Sequence, residues 1–279
     1  MKNILFPTDF SANSWNALLY GISFFKKIHC TFHIVHVNSI TTNAAGEAVM
    51  YSSPDILEQT ILKESNEKLG QLMTKINRLP LNPKHEFHTT SYNGFLTDHL
   101  KKEVKKKKID LIIMGTKGAS GLKSVAMGSN TGNVITKVPC TVLAVPEEAS
   151  YNTPEEIGFP SDFQSMYEST VLNFIKEILL LKKSALRFLY VAVKGEELSD
   201  LQTNNKEHLL NHFKELAPTF HKVTGKKIDE AIQCFTESRD LDLLVMVAKN
   251  LNFLERILFR PTVEKISYHT KIPFLVIHE

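Results

Sequence analysis

Four closely spaced glycines followed by a serine are the residues of this 279-residue sequence best suited to bind an anion. They are Gly115, Gly118, Gly121 and Gly128, and Ser129 follows the last of them directly. Glycine lets the backbone approach a phosphate because it carries no Cβ. A helix that starts behind such a loop adds free N–H groups, the positive end of its dipole and here a hydroxyl. The sequence therefore predicts a phosphate-binding loop, although a loop that only turns the chain could have the same composition.

The flanking residues place this loop between a strand and a helix. Leu111 to Met114 and Thr141 to Val145 are short apolar runs, which are typical of buried strands. Between the loop and the second run, Val134, Ile135 and Val138 fall on one helical face. The predicted order is strand, glycine loop, helix, strand. No Walker A sequence, G-x4-G-K-[ST], occurs in the chain.

Strand and helix signals alternate through the whole first half of the chain. Strands are predicted at residues 4–6, 32–37 and 86–91. Three helices are predicted: the first begins near Ser11 or Asn13, the second spans about 55–78, and the third ends in the lysine run 105–108. This order predicts a parallel sheet with helices on both faces. The carboxyl ends of the strands then share one edge, so the turn Pro7-Thr8-Asp9 is expected to face the glycine loop.

Composition and charge limit the kinds of partner. Residues 1–146 contain 17 Lys and Arg against 10 Asp and Glu, whereas residues 147–279 contain 16 against 20. The basic first half favours an anionic ligand. Its lysine run suits the C-terminal turn of a helix, and no aromatic residues or DNA-binding motif accompany it. We therefore expect no nucleic-acid partner.

The length of the apolar runs and the spacing of the cysteines indicate the cellular compartment that we expect for the protein. The longest apolar runs are far shorter than a membrane span, and no signal peptide is recognised, so we expect a cytoplasmic protein with no membrane partner. The three cysteines are scattered, without C-x2-C spacing, and are predicted to be buried thiols.

His208 and His212, with Glu215 nearby, could form a metal site on a helix, but the H-E-x-x-H order is absent.

The second half of the chain repeats the first. Residues 157–163 keep the Ile, Phe, Pro, Asp and Phe of residues 4–10, and residues 242–246 correspond to residues 110–114. We therefore predict two α/β domains, residues 1–146 and 157–279, joined by a polar linker at residues 147–156.

The two copies differ at the glycine loop. Where the first has Gly115, Gly118, Gly128 and Ser129, the second has Val247, Asn250, Arg260 and Pro261. Side chains replace bare backbone there, and a proline removes an N–H donor. Phosphate binding is predicted for the first half alone, although Arg260 and Asn250 could instead bind another anion through their side chains.

The spacing G-x2-G-x9-G-S resembles the nucleotide loop of the universal stress protein family, and the repeat resembles a tandem member with two family domains. The resemblance implies an α/β fold of two doubly wound, parallel five-stranded sheets, Rossmann-like and of the adenine nucleotide α-hydrolase type. It also implies that the first domain binds ATP or another adenine nucleotide, with room for a nucleotide-bound Mg ion near Asp9, and that the protein acts in stress response or signalling.

The same resemblance assigns roles to residues. Asp9, in the turn with Pro7 and Thr8, matches the acidic residue near the ribose and any metal ion. The backbone of Val37 would face the adenine. Met114 and Gly115 close the fourth strand, and the phosphate-binding segment would comprise Gly118, Gly128, Ser129 and Asn130. Asp9 could instead cap the first helix, and Ser129 could be a helix cap, a phosphate ligand or both.

Family members also pair their domains through the last strand. The resemblance therefore implies that residues 141–145 and 273–277 meet as an internal pseudo-dimer, and it leaves room for a homodimer of whole chains. No general base or nucleophile for catalysis can be identified in the sequence. Two alternatives to a nucleotide-binding module are a weak ATPase and a nucleotide-free scaffold for protein interactions.

Overall fold

Parallel strands alternate with helices through both halves of the chain, as the sequence predicts. The computed structural model describes residues 1–38, 54–80, 82–116, 129–192, 197–225, 227–249 and 272–279. The strands are β1 (Lys2–Pro7), β2 (Cys30–Asn38), β3 (His85–Asn93), β4 (Leu111–Gly115), β5 (Val142–Val145), β6 (Glu156–Pro160), β7 (Ala185–Ala192), β8 (Thr219–Thr224), β9 (Leu243–Val247) and β10 (Phe274–Ile277). The helices are α1 (Ala12–Phe24), α2 (Pro54–Asn77), α3 (Leu96–Lys107), α4 (Ser129–Lys137), α5 (Ser169–Lys182), α6 (Asp200–His212) and α7 (Ile228–Ser238), with a 3-10 turn at Lys214–Leu216.

The ten strands form one sheet in the order β3-β2-β1-β4-β5-β10-β9-β6-β7-β8. Neighbouring strands are parallel within each half, and β5 and β10 are antiparallel, with Leu143 opposite Leu275. The pairing expected between the last strands of the two halves is therefore confirmed. It joins the two predicted five-stranded sheets into one ten-stranded sheet of the α/β class, and it covers two sheet edges that would otherwise be open.

Two apolar layers cover the sheet, one on each face. The layer on the α1 face packs α1, α2, α5 and α6 against the sheet and includes Leu143 and Leu275 from the two sides of the β5–β10 pair. The layer on the α4 face packs α3, α4 and α7 against the sheet and includes Met114 and Val134. Because each layer contains residues of both halves, the core is continuous across the pair.

Local sequence signals explain where the site-forming helices begin and end. Ser11 caps α1 by accepting a hydrogen bond from the Ser14 N–H. Helix α3 ends in three lysines, Lys105 to Lys107, followed by Lys108 with a left-handed backbone (φ 49°). The predicted placement of the lysine run at a helix C-terminus is therefore confirmed, since cations there complement the helix dipole.

The segment between β5 and β6 is fastened to α1. The Asn16 amide group donates to the carbonyls of Pro146, Glu147 and Ala149, at 3.2, 3.3 and 2.9 Å. The ring of Tyr151 packs edge-on against the ring of Tyr20 on α1, with centroids 5.2 Å apart. The polar stretch expected to act as a linker thus follows the surface of the first half.

Cysteine exposure corrects one expectation. Cys30 and Cys140 are buried, as predicted, but Cys234 is exposed. Ile232 and Phe235 lie on the buried side of α7. Cys234 is two positions from Ile232, so its side chain points away from that side. None of the described helices combines the length and apolar character needed to cross a bilayer.

A buried histidine gives the first half a predicted acid sensitivity. His33 on β2 is 9% exposed, and burial, reinforced by nearby Lys107 and His88, lowers its pKa to about 4. Because the folded pKa lies below the unfolded value, the unfolded state binds more protons between pH 6.5 and 4, and stability falls as the pH falls through that range. Relative to His33→Leu, the wild type should lose roughly 2–3 kcal/mol of unfolding free energy between pH 7 and 4.

Denaturant unfolding at a series of pH values measures this difference. His29→Leu is the matched control, because His29 is exposed, and it should keep the wild-type dependence. Parallel pH curves for the wild type and His33→Leu would contradict the prediction.

Candidate functional site

The turn after β1 lies at the carboxyl edge of the first half, between the ends of β2 and β4. Strand β1 is hydrogen-bonded to both of these parallel strands, so all three carboxyl ends lie together. Helix α4 begins at Ser129, the residue predicted to follow the glycine loop. Gly118, Gly121 and Gly128 lie outside the described residues.

Side-chain oxygens hold the β1 turn in a fixed shape. The Thr8 N–H donates to Val35 of β2 at 2.9 Å, and the Thr8 hydroxyl accepts from the Phe10 N–H at 3.0 Å. The Asp9 carboxylate accepts from the Ser11 N–H at 3.0 Å. Phe10 adopts a left-handed backbone (φ 63°), which such local hydrogen bonds offset.

The predicted turn residues differ in their exposure. Pro7 and Thr8 are buried, and Asp9 is half-buried. Ser11, rather than Asp9, caps α1, so the alternative in which Asp9 is the helix cap is wrong. Asp9 instead shapes the turn that crosses the edge of the sheet.

The end of β4 is tied to the start of α4 by a buried hydrogen bond. The Thr131 hydroxyl, in the first turn of α4, donates to the Gly115 carbonyl at 2.7 Å, and Thr131 is 2% exposed. A Cβ on Gly115 would lie 2.7 Å from the side chain of Asn13, which is itself buried. Glycine is therefore the residue that lets α1 approach the end of this strand.

Val37 and Met114 share one apolar layer at this edge, whereas Asn130 lies on the exposed surface. Met114 is 6% exposed, and the half-buried Val37 packs with it in the layer on the α4 face. Ser129 and Asn130 are exposed on the first turn of α4. The described site residues thus converge on one edge, with the apolar ones on the α4 face.

Sequence reasoning missed His36, Asn13 and Thr131 as parts of the site. The His36 Nδ1 atom lies 2.7 Å from the Thr8 carbonyl, to which it donates, and its ring packs on Phe10 with centroids 4.5 Å apart. The available signals were the two histidines of the strand β2 and polar residues on the buried sides of α1 and α4.

Removing the Thr131 hydroxyl tests the tie between β4 and α4. Thr131→Val keeps the shape of the side chain but leaves a buried carbonyl with one bond fewer, so we expect a loss of about 1–3 kcal/mol in unfolding free energy. Thr136→Val is the matched control: the Thr136 hydroxyl donates to the helical carbonyl of Gly132 at 2.9 Å and is half-buried. Chemical denaturation measures both, and equal losses would show that the tie contributes nothing specific.

The second half repeats the turn but not the glycine at the strand end. The Ser161 hydroxyl accepts from the Phe163 N–H, and the Asp162 carboxylate accepts from the Gln164 N–H, both at 3.1 Å. Val247 pairs with Ile277 as Gly115 pairs with Val145, so a valine stands where the first half has glycine. Asn250, Arg260 and Pro261 lie outside the described residues. Because both halves share the turn, the end of the fourth strand is what distinguishes them.

The lysine run lies far from this edge in the topology. Helix α3 leads from the carboxyl end of β3 to the amino end of β4, so Lys105 to Lys107 sit toward the opposite edge of the sheet. Much of the basic excess of the first half therefore does not lie at the candidate site. Within the described residues, no group of three or more His, Cys, Asp or Glu side chains is arranged to hold a metal ion.

Similar proteins share the whole two-part arrangement. The universal stress protein family pattern matches residues 1–146 and 170–278. Universal stress protein Slr1230 of Synechocystis is 25% identical over 293 aligned positions, covering 99% of each chain, and universal stress protein MJ0531 of Methanocaldococcus jannaschii is 28% identical over 144 residues, covering 52% of this chain and 81% of its own.

A solved structure shows the same overall fold. The crystal structure of a universal stress protein from Archaeoglobus fulgidus superimposes with a TM-score of 0.72 at 17% identity, covering 99% of this chain and 98% of the other. The family pattern spans most of the chain, and the parallel strands have the same spatial order in both halves. The chain therefore belongs to the universal stress protein family.

Proposed function

We propose that the chain binds one adenine nucleotide, ATP, at the carboxyl edge of its first half and acts as a nucleotide-responsive module in stress response or signalling. The observation that carries the proposal is the end of β4, where Gly115 has no side chain, packs against Asn13 and accepts a hydrogen bond at its carbonyl from Thr131 in the first turn of α4. That tie directs the N-terminus of α4 toward the edge where Asp9 and Val37 lie. A helix N-terminus at such an edge suits the negative charge of a phosphate.

Each predicted residue has a role in this proposal. The Val37 backbone faces the adenine beside the Met114 side chain, and the β1 turn of Pro7, Thr8 and Asp9 faces the ribose. Gly115 closes β4 beside them, and the phosphates are assigned to Gly118, Gly128, Ser129 and Asn130. Asp9 would also be the protein ligand of a nucleotide-bound Mg ion, because Mg commonly takes one or two carboxylates together with substrate phosphates.

The proposal assigns the nucleotide to one of two domains. We place the domains at residues 1–146 and 157–279, with residues 147–156 as the linker that follows α1. The second domain is proposed to hold no ATP, since Val247 replaces the glycine that ends β4 in the first half. Its contribution is structural, through the antiparallel pairing of β5 and β10.

Analysis of the nucleotide that co-purifies with the protein tests the proposal. The purified full chain is denatured, and the supernatant is separated by anion exchange beside ATP, ADP and cyclic AMP standards. ATP in the supernatant, or ATP bound after incubation and gel filtration, is the expected result. ADP formed from bound ATP would indicate the weak ATPase instead, and protein that neither carries nor takes up nucleotide would leave the interaction scaffold.

A further inference from the structure

A cleft on the α1 face of the first half has the features of a second ligand site. It lies between α1 and α2, has a volume of about 190 Å³, and is floored by Phe6 and Leu18, which are 1% and 0% exposed. Val37 and Met114, assigned to the nucleotide, belong to the layer on the α4 face. The cleft therefore opens on the opposite face of the sheet from those two residues, and it shares only Thr8 of the β1 turn with the residues assigned to the nucleotide.

The walls of the cleft combine positive charge with apolar surface. Lys68 and Lys75, seven residues apart on α2, lie on one side of that helix, and both line the cleft. The Lys75 ammonium group stands 3.7 Å from the centre of the Trp15 ring on α1. None of the described residues that line the cleft is acidic. The two lysines are therefore not neutralised from within the cleft.

The hydroxyl groups of Thr8, Ser11 and Ser14 line the cleft where α1 begins. The Ser11 side chain accepts the Ser14 N–H at 3.1 Å as the cap of α1, which leaves its own proton to donate. The Ser14 hydroxyl donates to the Ser11 carbonyl at 2.9 Å and lies 3.1 Å from the Thr8 hydroxyl. The cleft thus combines one hydroxyl donor, that of Ser11, with two ammonium groups and an apolar floor.

The second half provides an internal comparison in which this space is filled. At the sequence offset of the repeat Tyr167 corresponds to Ser14, although Ser14 lies within α1 and Tyr167 precedes α5. The Tyr167 hydroxyl lies 3.1 Å from that of Ser161, as the Ser14 hydroxyl does from that of Thr8. Its ring packs on Phe159, the counterpart of Phe6, with centroids 5.6 Å apart.

Helix α6 closes the same space from its own side. Gln202 and Asn205 donate to the carbonyls of Asp162 and Phe163, each at 2.8 Å. Phe163 is 1% exposed, whereas its counterpart Phe10 is half-buried. The fold can therefore close this space with side chains, and among the described residues of the first half no side chain does so.

We propose that the cleft between α1 and α2 binds a small amphiphilic monocarboxylate, with the carboxylate between Lys68, Lys75 and the Ser11 hydroxyl and the hydrocarbon on Phe6 and Leu18. The charge selects an anion, because lysine ammonium groups pair with carboxylates. The apolar floor selects a ligand with a hydrocarbon body over a bare ion. The volume is smaller than that of sites for drug-sized ligands, so the ligand is small.

Fluorescence of Trp15, the single tryptophan of the chain, measures binding directly. The full chain is titrated with three probes: octanoate, 1-octanol, which has the same hydrocarbon without the charge, and inorganic phosphate, which has charge without hydrocarbon. Octanoate should produce a saturable change, confirmed by calorimetry, at concentrations where the other two produce none. No saturable change with octanoate, or equal binding of 1-octanol, would overturn the proposal.

Two variants and a control locate the site. Ser14→Tyr imports the residue of the second half and should abolish octanoate binding, and Lys68→Gln, a change of an exposed side chain, should weaken it about two- to fivefold, as expected for an exposed ion pair. Lys63→Gln, at an exposed position on another side of α2, should change nothing. Octanoate affinity that is the same in Lys68→Gln as in the wild type would overturn the assignment even if Ser14→Tyr fails to fold. ATP binding by Lys68→Gln should be unchanged, which separates this proposal from that of the nucleotide site.

Discussion

Gly128→Arg is expected to lower the affinity for ATP at least about 100-fold, equivalent to about 2.7 kcal/mol, while the fold persists. The substitution places in the first half the residue type that the second half carries as Arg260. A phosphate that contacts bare backbone N–H groups cannot do so once a long side chain stands in front of them. Isothermal titration calorimetry with ATP measures the change, and denaturant unfolding reports whether the protein remains folded.

A glycine elsewhere in the same half supplies the matched control for this substitution. Gly70 lies on α2, and a Cβ added there would have no neighbouring atom within 4 Å, so Gly70→Arg introduces the same side chain into open space. Arginine also favours a helix more than glycine does. ATP affinity should therefore stay at the wild-type value. If Gly128→Arg bound ATP as tightly as Gly70→Arg, the glycine loop would not be the phosphate site.

Leu275→Ala is expected to lower the free energy of unfolding by about 3–5 kcal/mol. Leu275 is 1% exposed, lies on β10 between β5 and β9, and faces Leu143 across the antiparallel pair. Its removal leaves a cavity where the two halves share one apolar layer. Because that layer contains residues of both halves, we expect a single cooperative transition that shifts as a whole.

Chemical denaturation followed by circular dichroism and tryptophan fluorescence checks this second prediction. Trp15 reports on the first half alone, so coincident curves from the two probes would show that both halves unfold together. Leu201→Ala is the matched control, since Leu201 is 57% exposed, and it should cost no more than about 0.5 kcal/mol. A loss below about 1 kcal/mol for Leu275→Ala, or a fluorescence transition unaffected by it, would contradict a shared core.

Further contacts across the halves agree with a shared core. The Lys182 ammonium group of α5 donates to the Phe24 carbonyl at the end of α1, and it lies 3.9 Å from the centre of the Phe24 ring. Lys2 of β1 and Glu177 of α5 form an ion pair at 3.5 Å. These contacts supplement the strand pairing, and exposed pairs of this kind contribute little by themselves.

Much of the fold could be predicted because apolar periodicity and turn residues carry local information. The runs that became β1 and β4 are short and apolar, and the cap of α1 falls on one of the two residues expected, Ser11. The repeat of residues 4–10 in residues 157–163 predicted two turns of one kind, and both halves have the same Asx-type hydrogen bond. The pairing of the last strands came from the family resemblance, since no local pattern specifies which edges meet.

What could not be predicted depends on partners that are distant in sequence. The Thr131 hydroxyl resembles that of any exposed helical threonine until β4 brings the Gly115 carbonyl to it. His36 is recognisable as part of the site only once the β1 turn lies beside β2. The cleft on the α1 face is formed by residues of β1, α1 and α2 that are distant in sequence, such as Phe6, Ser14 and Lys68.

A crystal structure of the full chain grown with ATP and Mg tests the central claim most directly, because it shows both the number of bound nucleotides and their place. We predict one ATP per chain, in the first half, with its adenine at the Val37 backbone and its phosphates at Ser129 and the residues before it. A nucleotide in the second half, or density for none in a crystal saturated with ATP, would contradict the account.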